Sequence, residues 1–142
     1  GRIKHFISAF GEHVIAEEVE RAMAEARKAY PEVQLVEFTV APQVNPERGD
    51  LPHHEWLVEL SGPLADQKGF QAVLENSMRT QNIYYQDLIT GKVLRGLELT
   101  LLAPNAFIDY MKSQGKLGGQ NKVPRLSNDR NIAEGLRAFR LA

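Results

Sequence analysis

A chain of 142 residues with 43% apolar and 25% charged side chains has the make-up of one soluble globular domain, which excludes a disordered segment, a collagen-like repeat and a disulfide scaffold. Its longest apolar runs, such as Leu101 to Pro104, fall far short of the ~20 residues of a membrane-spanning helix; no secretory signal is expected, and the absence of cysteine suits a reducing cytoplasm. The net charge of −1 hides an asymmetry, because residues 1–111 carry 10 Lys/Arg against 16 Asp/Glu whereas 112–142 carry 7 against 2. A basic block of that kind suits a phosphate or nucleic-acid partner, and equally a solvated helix face with its loop.

The chain starts at Gly1 with no Met and enters apolar sequence within a few residues, as a piece of something longer would. Ile3 to Phe10 is rich in β-formers and stops at Gly11, which predicts a strand and a turn. From Val14 the period changes: Ile15, Val19, Ala22, Met23, Ala26 and Tyr30 recur at helical spacing, acids and arginines lie opposite, and Pro31 ends the segment. Val33 to Val40 predicts a second strand, Pro42 to Pro52 a loop, and His54 to Leu60 a third strand with Trp56, Val58 and Leu60 on one face and Glu55, Leu57 and Glu59 on the other.

A second helix is predicted from about Leu64 on the spacing of Phe70, Val73, Leu74 and Met78, and Asn82 to Leu88 reads as ambiguous, with a short helix one option. Leu97 to Leu102 is a fourth strand, Asn105 caps a third helix through Met111, and Gly115 stops it. Lys116 to Asp129 has paired glycines, a proline and no period, after which Asp129 caps a last short helix bearing Ile132, Leu136 and Phe139. The reading is α+β: a small mixed or antiparallel sheet of about four strands in β-α-β-β-α-β, ferredoxin-like order, with helices packed on it and a C-terminal helical extension.

Little in the sequence has the spacing of a metal or nucleophile site. His5 and His13 are separated by a strand and a turn, His53 and His54 diverge on an extended chain, and these histidines read as surface or edge-strand residues with no metal. No serine sits in a nucleophile-elbow context. Trp56, Phe6, Phe10, Phe38, Phe70 and Phe107 take inward positions and read as core. The loop Gly115-Lys116-Leu117-Gly118-Gly119-Gln120-Asn121-Lys122 is not a Walker loop, since no Gly-Lys-Ser/Thr follows and a helix precedes it. Its glycines nonetheless allow backbone to approach an anion, and Lys122 and Arg125 bracket Pro124 as two cations on a stiffened segment. A surface loop with incidental charges accounts for the same residues.

Gly1-Arg2-Ile3-Lys4, then Gly11, Val14 and Glu17-Glu18-Val19-Glu20, resemble the hinge and first C-terminal-domain helix of the acyl-adenylate-forming superfamily. Leu74, Asn76-Ser77, Leu97-Glu98, Phe107, Met111, Gly115 and above all Gln120-Asn121-Lys122-Val123-Pro124-Arg125 resemble the auxin-responsive Gretchen Hagen family of acyl-acid amido synthetases, in wording closer to its bacterial branch. The resemblance implies that residues 1–142 form the small mobile C-terminal domain of an ATP-dependent ligase. Its absent N-terminal domain would bind ATP with Mg2+ and a carboxylic acid; the acyl-adenylate would then be captured by an amino acid amine. It implies Lys122 as the catalytic cation, Arg125, Lys116 and Gln120 as phosphate-binding or supporting residues, and Arg2 and Lys4 as the hinge. Ser8 and Phe10 stand where some thioester-forming relatives carry lysines, and Asn121 stands where plant members usually have an aromatic residue.

On this reading the isolated domain is inactive, the protein is cytoplasmic, and its partners are its own N-terminal domain and the two substrates, with no nucleic acid and no membrane. The alternative is a non-catalytic ferredoxin-like binding module. An RNA-binding sheet would expose aromatics beside basic residues, whereas these strands carry Glu37, Glu55, Glu59 and Glu98.

Overall fold

The alternating segments pair around one central strand. A computed structural model of the chain describes residues 6–47, 49–115 and 123–141. In chain order the elements are β1 (Phe6–Ile7), β2 (Val14–Ile15), α1 (Ala16–Ala29), β3 (Leu35–Gln43), β4 (His53–Leu60), α2 (Gln67–Gln81), α3 (Ile83–Thr90), β5 (Glu98–Leu102), α4 (Ala106–Ser113) and α5 (Asn131–Arg137). β3 runs antiparallel to β4, with Phe38 opposite Val58 and Val40 opposite Trp56; β5 lies parallel to β4 on its other flank, with Leu99 opposite Trp56. Parallel neighbours need a long crossover, which α2 and α3 supply.

All of β4 from His53 to Leu60 is buried, so neither face of the sheet is open there. Trp56, Val58 and Leu60 join Phe38, Val40 and Leu99 in a core closed by Val19, Ala22 and Met23 of α1 and Phe70, Leu74 and Met78 of α2. Leu57, Ala41 and Leu102 form a second core under Phe107 and Tyr110 of α4 and Ala133 and Leu136 of α5. The domain is thus α+β with a mixed sheet, and the C-terminal helical extension covers the face opposite α1 and α2. Each outer strand is also met at one point by a later segment. Val40 N–H donates to the Arg125 carbonyl (2.9 Å) along β3, and Leu141 N–H donates to the Leu101 carbonyl (3.0 Å) along β5.

The first strand differs from the sequence expectation. Among the described residues the main sheet has three strands, and β1 pairs only with β2, Phe6 opposite Ile15 and Ile7 opposite Val14, in a ladder of its own. Because β3 and β5 take both flanks of β4, a leading strand has no place beside it; β1 and β2 instead pack Ile7 and Val14 into the larger core.

Three local expectations are also revised. Asn105 precedes α4 but sits in the left-handed region (φ 69°) and makes no side-chain capping bond. Glu59 of β4 takes over that role, accepting the N–H groups of Asn105 (2.8 Å) and Phe107 (3.0 Å). Asp129 does accept from the Asn131 N–H (3.0 Å) at the start of α5. Phe10 is 38% exposed at the hairpin turn and is not core, while Trp56, Phe38, Phe70 and Phe107 are buried; the Phe6 side chain lies outside the described part. His53 and His54 are buried on the central strand instead of lying at a surface or edge.

Candidate functional site

The glycine-rich loop springs from two fixed roots. Gly115, at φ 70°, ends α4 in a conformation open to glycine, and its N–H donates to the Lys112 carbonyl (3.0 Å). On the far side the chain is stitched to β3. The Pro124 carbonyl accepts from Thr39 Oγ1 (2.7 Å), Leu126 is wholly buried, and Ser127 N–H donates to the Val40 carbonyl (3.0 Å). Lys116, Gln120 and Lys122 on the loop, and Arg2 and Lys4 of the hinge, lie outside the described residues.

Arg125 is the one predicted site residue within the described chain. Its guanidinium carbon lies 4.1 Å from the centroid of the Phe38 ring. Its Nε donates to Glu20 (3.0 Å) and its Nη1 to Glu37 (2.5 Å) and to the Phe38 carbonyl. Burial disfavours the guanidinium's charge, but the hydrogen bonds it donates to Glu37 and Glu20, with their negative charges, outweigh it and hold the pKa above its ordinary value. A planar fork engaged at this many points is a strut under the loop's exit, a geometry that a lysine could not reproduce.

Two more arginines of the basic block turn inward. Arg130 Nη2 reaches Glu55 Oε1 (2.7 Å), Arg137 Nη1 reaches Glu55 Oε2 (2.5 Å), and Thr100 Oγ1 donates to Glu55 Oε2 (2.5 Å). Burial pushes the Glu55 carboxyl up; the Thr100 and Arg130 hydrogen bonds and the two positive charges bring it below its ordinary value. Three of the seven basic residues of this segment, Arg125, Arg130 and Arg137, are therefore held by carboxylates. The cleft beside Glu55, about 440 Å³, is bordered by Glu47, Asp50, Glu98 and Glu134 as well as Arg137, and it disfavours phosphate.

Sequence reasoning missed the association of three buried groups. Glu12, at a turn, is fully buried, and its Oε2 is 2.8 Å from Nε2 of His54 on β4; Asn82 joins them from the α2–α3 junction. Nothing in local spacing links residues 12, 54 and 82. For Glu55 a signal did exist, since an acidic body followed by a basic tail is also the pattern of a chain that pairs with itself. No group of three or more His, Asp or Glu among the described residues is arranged to hold a metal ion.

The family model described as the GH3 family C-terminal domain matches residues 17–131. No curated protein matches the sequence. Among solved structures, the whole chain superposes on "GH3.15 acyl acid amido synthetase" with a TM-score of 0.79 at 20% identity. It also superposes on "AtGH3.15 acyl acid amido synthetase in complex with 2,4-DB" with a TM-score of 0.77 at 19% identity. At such identities the superpositions establish the fold, and the chain spans 26% of the length of each of those two chains. The family match covers most of the three-layer body described above, and on that ground the chain belongs to the GH3 family as its C-terminal domain.

Proposed function

We propose that this chain is the mobile C-terminal domain of a cytoplasmic, ATP-dependent acyl-acid amido synthetase, which adenylates a carboxylic acid and joins it to an amino acid amine. The observation that carries the reading is the family match over residues 17–131, supported by superposition of the whole chain on acyl acid amido synthetases four times its length. In this reading a separate N-terminal domain holds ATP, the acid and Mg2+. Both sheet faces are covered along β4, which disfavours the alternative of a module binding ligands on an open sheet.

In this reading the domain contributes Lys122, carried on a loop whose exit is set by Arg125, Leu126 and Thr39 and whose start is set by Gly115. Gln120 and Arg125 support this segment and its phosphate contacts, Lys116 has a minor supporting part that alanine barely disturbs, and Arg2 and Lys4 form the hinge. A single positive charge brought beside the phosphates as charge develops there is worth ~3 kcal/mol, or roughly a hundredfold in rate. The test uses the full-length protein. Acid-dependent ATP–pyrophosphate exchange should slow about a hundredfold in Lys122→Ala, with amidation of supplied acyl-adenylate little changed and Lys116→Ala close to wild type. Absence of exchange in the wild type across a broad set of carboxylic acids would reject the reaction; a larger effect at Lys116 would reassign the cation.

A further inference from the structure

The β1–β2 hairpin follows directly after Arg2 and Lys4 and has only two residues in each strand. A ladder this short cannot hold itself in water. Its apolar members Ile7 and Val14 are fully buried in the larger core, which accounts for its docking but not for the carboxylate at its turn. Glu12 follows Gly11 (φ 91°) and precedes His13 (φ 46°), a position where a charged side chain ordinarily points to water, yet it is 0% exposed. A buried carboxylate is costly unless it is paired and hydrogen-bonded.

Glu12 is paired in several directions. Oε1 accepts the Phe10 N–H (2.7 Å) across its own turn, and Oε2 lies 2.8 Å from Nε2 of His54 on β4. Its main-chain carbonyl accepts from Asn82 Nδ2 (2.9 Å). Asn82 also donates to Glu18 Oε1 (3.2 Å) and accepts the Tyr85 N–H (2.9 Å), while the Tyr85 ring lies against His54 at 5.3 Å. Glu18 in turn accepts the Ile15 N–H (3.1 Å) at the end of the hairpin. One small polar knot thus joins the turn to the central strand, to the start of α1 and to the α2–α3 junction.

We propose that Glu12, His54 and Asn82 form a clamp that makes the hairpin part of the rigid domain. From β1 onward, hairpin, sheet and the flanks of segment 116–122 then turn as one piece. Apolar contacts alone would permit the hairpin to tilt; hydrogen bonds to three different elements do not. His54 and Asn82 are positioning residues in this arrangement. Its bearing on a hinge rests on the two-domain reading above, whereas the clamp itself does not.

Amide hydrogen exchange on the 142-residue chain tests it without turnover. His54→Ala and Asn82→Ala should speed exchange of amides 7–15 by roughly tenfold or more, with amides 56–60 and 99–102 unchanged. His54→Gln, whose side-chain amide can donate to Glu12, should restore most of the protection. Should His54→Ala fail to fold, Asn82→Ala with the Glu12–His54 pair intact gives the same comparison. Unchanged hairpin exchange in the variants, or hairpin and sheet accelerating together even in His54→Gln, would overturn the clamp. Loss of ATP–pyrophosphate exchange in the full-length protein would reject the reaction and leave this result standing.

Discussion

Glu55 shows how one residue takes its meaning from the fold. The alternation of the strand only sets it on the face opposite Trp56, and in the fold it is the buried acceptor for Thr100, Arg130 and Arg137. Glu55→Ala leaves Arg137 without its carboxylate and Arg130 with Glu134 alone, and the expected loss in urea denaturation is about 3 kcal/mol, toward the low end for a broken buried pair because Arg130 keeps a partner and Arg137 keeps some contact with solvent. The pH dependence follows from the lowered pKa of Glu55. A carboxyl depressed in the folded state contributes fully above its unfolded pKa of about 4.3, and the contribution is lost as pH falls through the folded value. Stability from this group should therefore be level between about pH 7 and pH 5 and decline in the more acidic range, and Glu55→Gln should flatten that decline. An unchanged acid slope in Glu55→Gln would assign the lability elsewhere, Glu12 first, whose pKa is also lowered because His54 and the Phe10 N–H outweigh its burial.

At the scale of elements, α4 and α5 are short and depend on what they pack against. α4 runs from Ala106 to Ser113 and has its N-terminus satisfied by Glu59 from the sheet, so strand and helix are joined through a cap that neither segment reveals alone. The two helices meet closely at Gly135, where an added Cβ would sit 2.4 Å from Cε1 of Tyr110. That ring is largely buried in the second core, with little space to retreat. Gly135→Ala is expected to cost about 1–3 kcal/mol despite the better helix propensity of alanine. The measurement is a denaturation midpoint paired with Gly135→Ala/Tyr110→Leu, which should recover much of the loss. A neutral Gly135→Ala would mean that the ring shifts freely. Helix existence was legible from the 3.6-residue period in α1 and α2, but the apolar pattern of β1 named a strand without naming its partner.

Over the whole molecule, Arg125, Arg130 and Arg137 of the basic C-terminal segment fold against carboxylates of the acidic body, and the turn before α1 is tied to β4 through Glu12 and His54. In the full-length protein, Lys4→Pro locks one dihedral and deletes an N–H at the proposed pivot. It should impair one half-reaction at least about tenfold more than the other, because adenylation and amidation require different domain orientations in this reading. Equal loss in ATP–pyrophosphate exchange and in amidation from preformed acyl-adenylate would place the pivot elsewhere. The chain spans 26% of the length of the synthetase chains it superposes on, so this test belongs to the longer protein.

The sequence by itself determined the α+β class, the four main helix and strand periods, the breaks at Gly115 and Asp129, and the family, through Gln120 to Arg125 and the pattern around Glu17 to Glu20. These are local properties, set by residue spacing along a few turns. Tertiary structure alone decided that β4 would be covered on both faces, that β1 would leave the main sheet, that Arg125, Arg130 and Arg137 would be internal partners, and that Glu12 would find His54. Each of those outcomes depends on contacts between residues far apart in the chain, and the cost of burying an unpaired charge or leaving a strand edge open is settled only when the distant partner arrives.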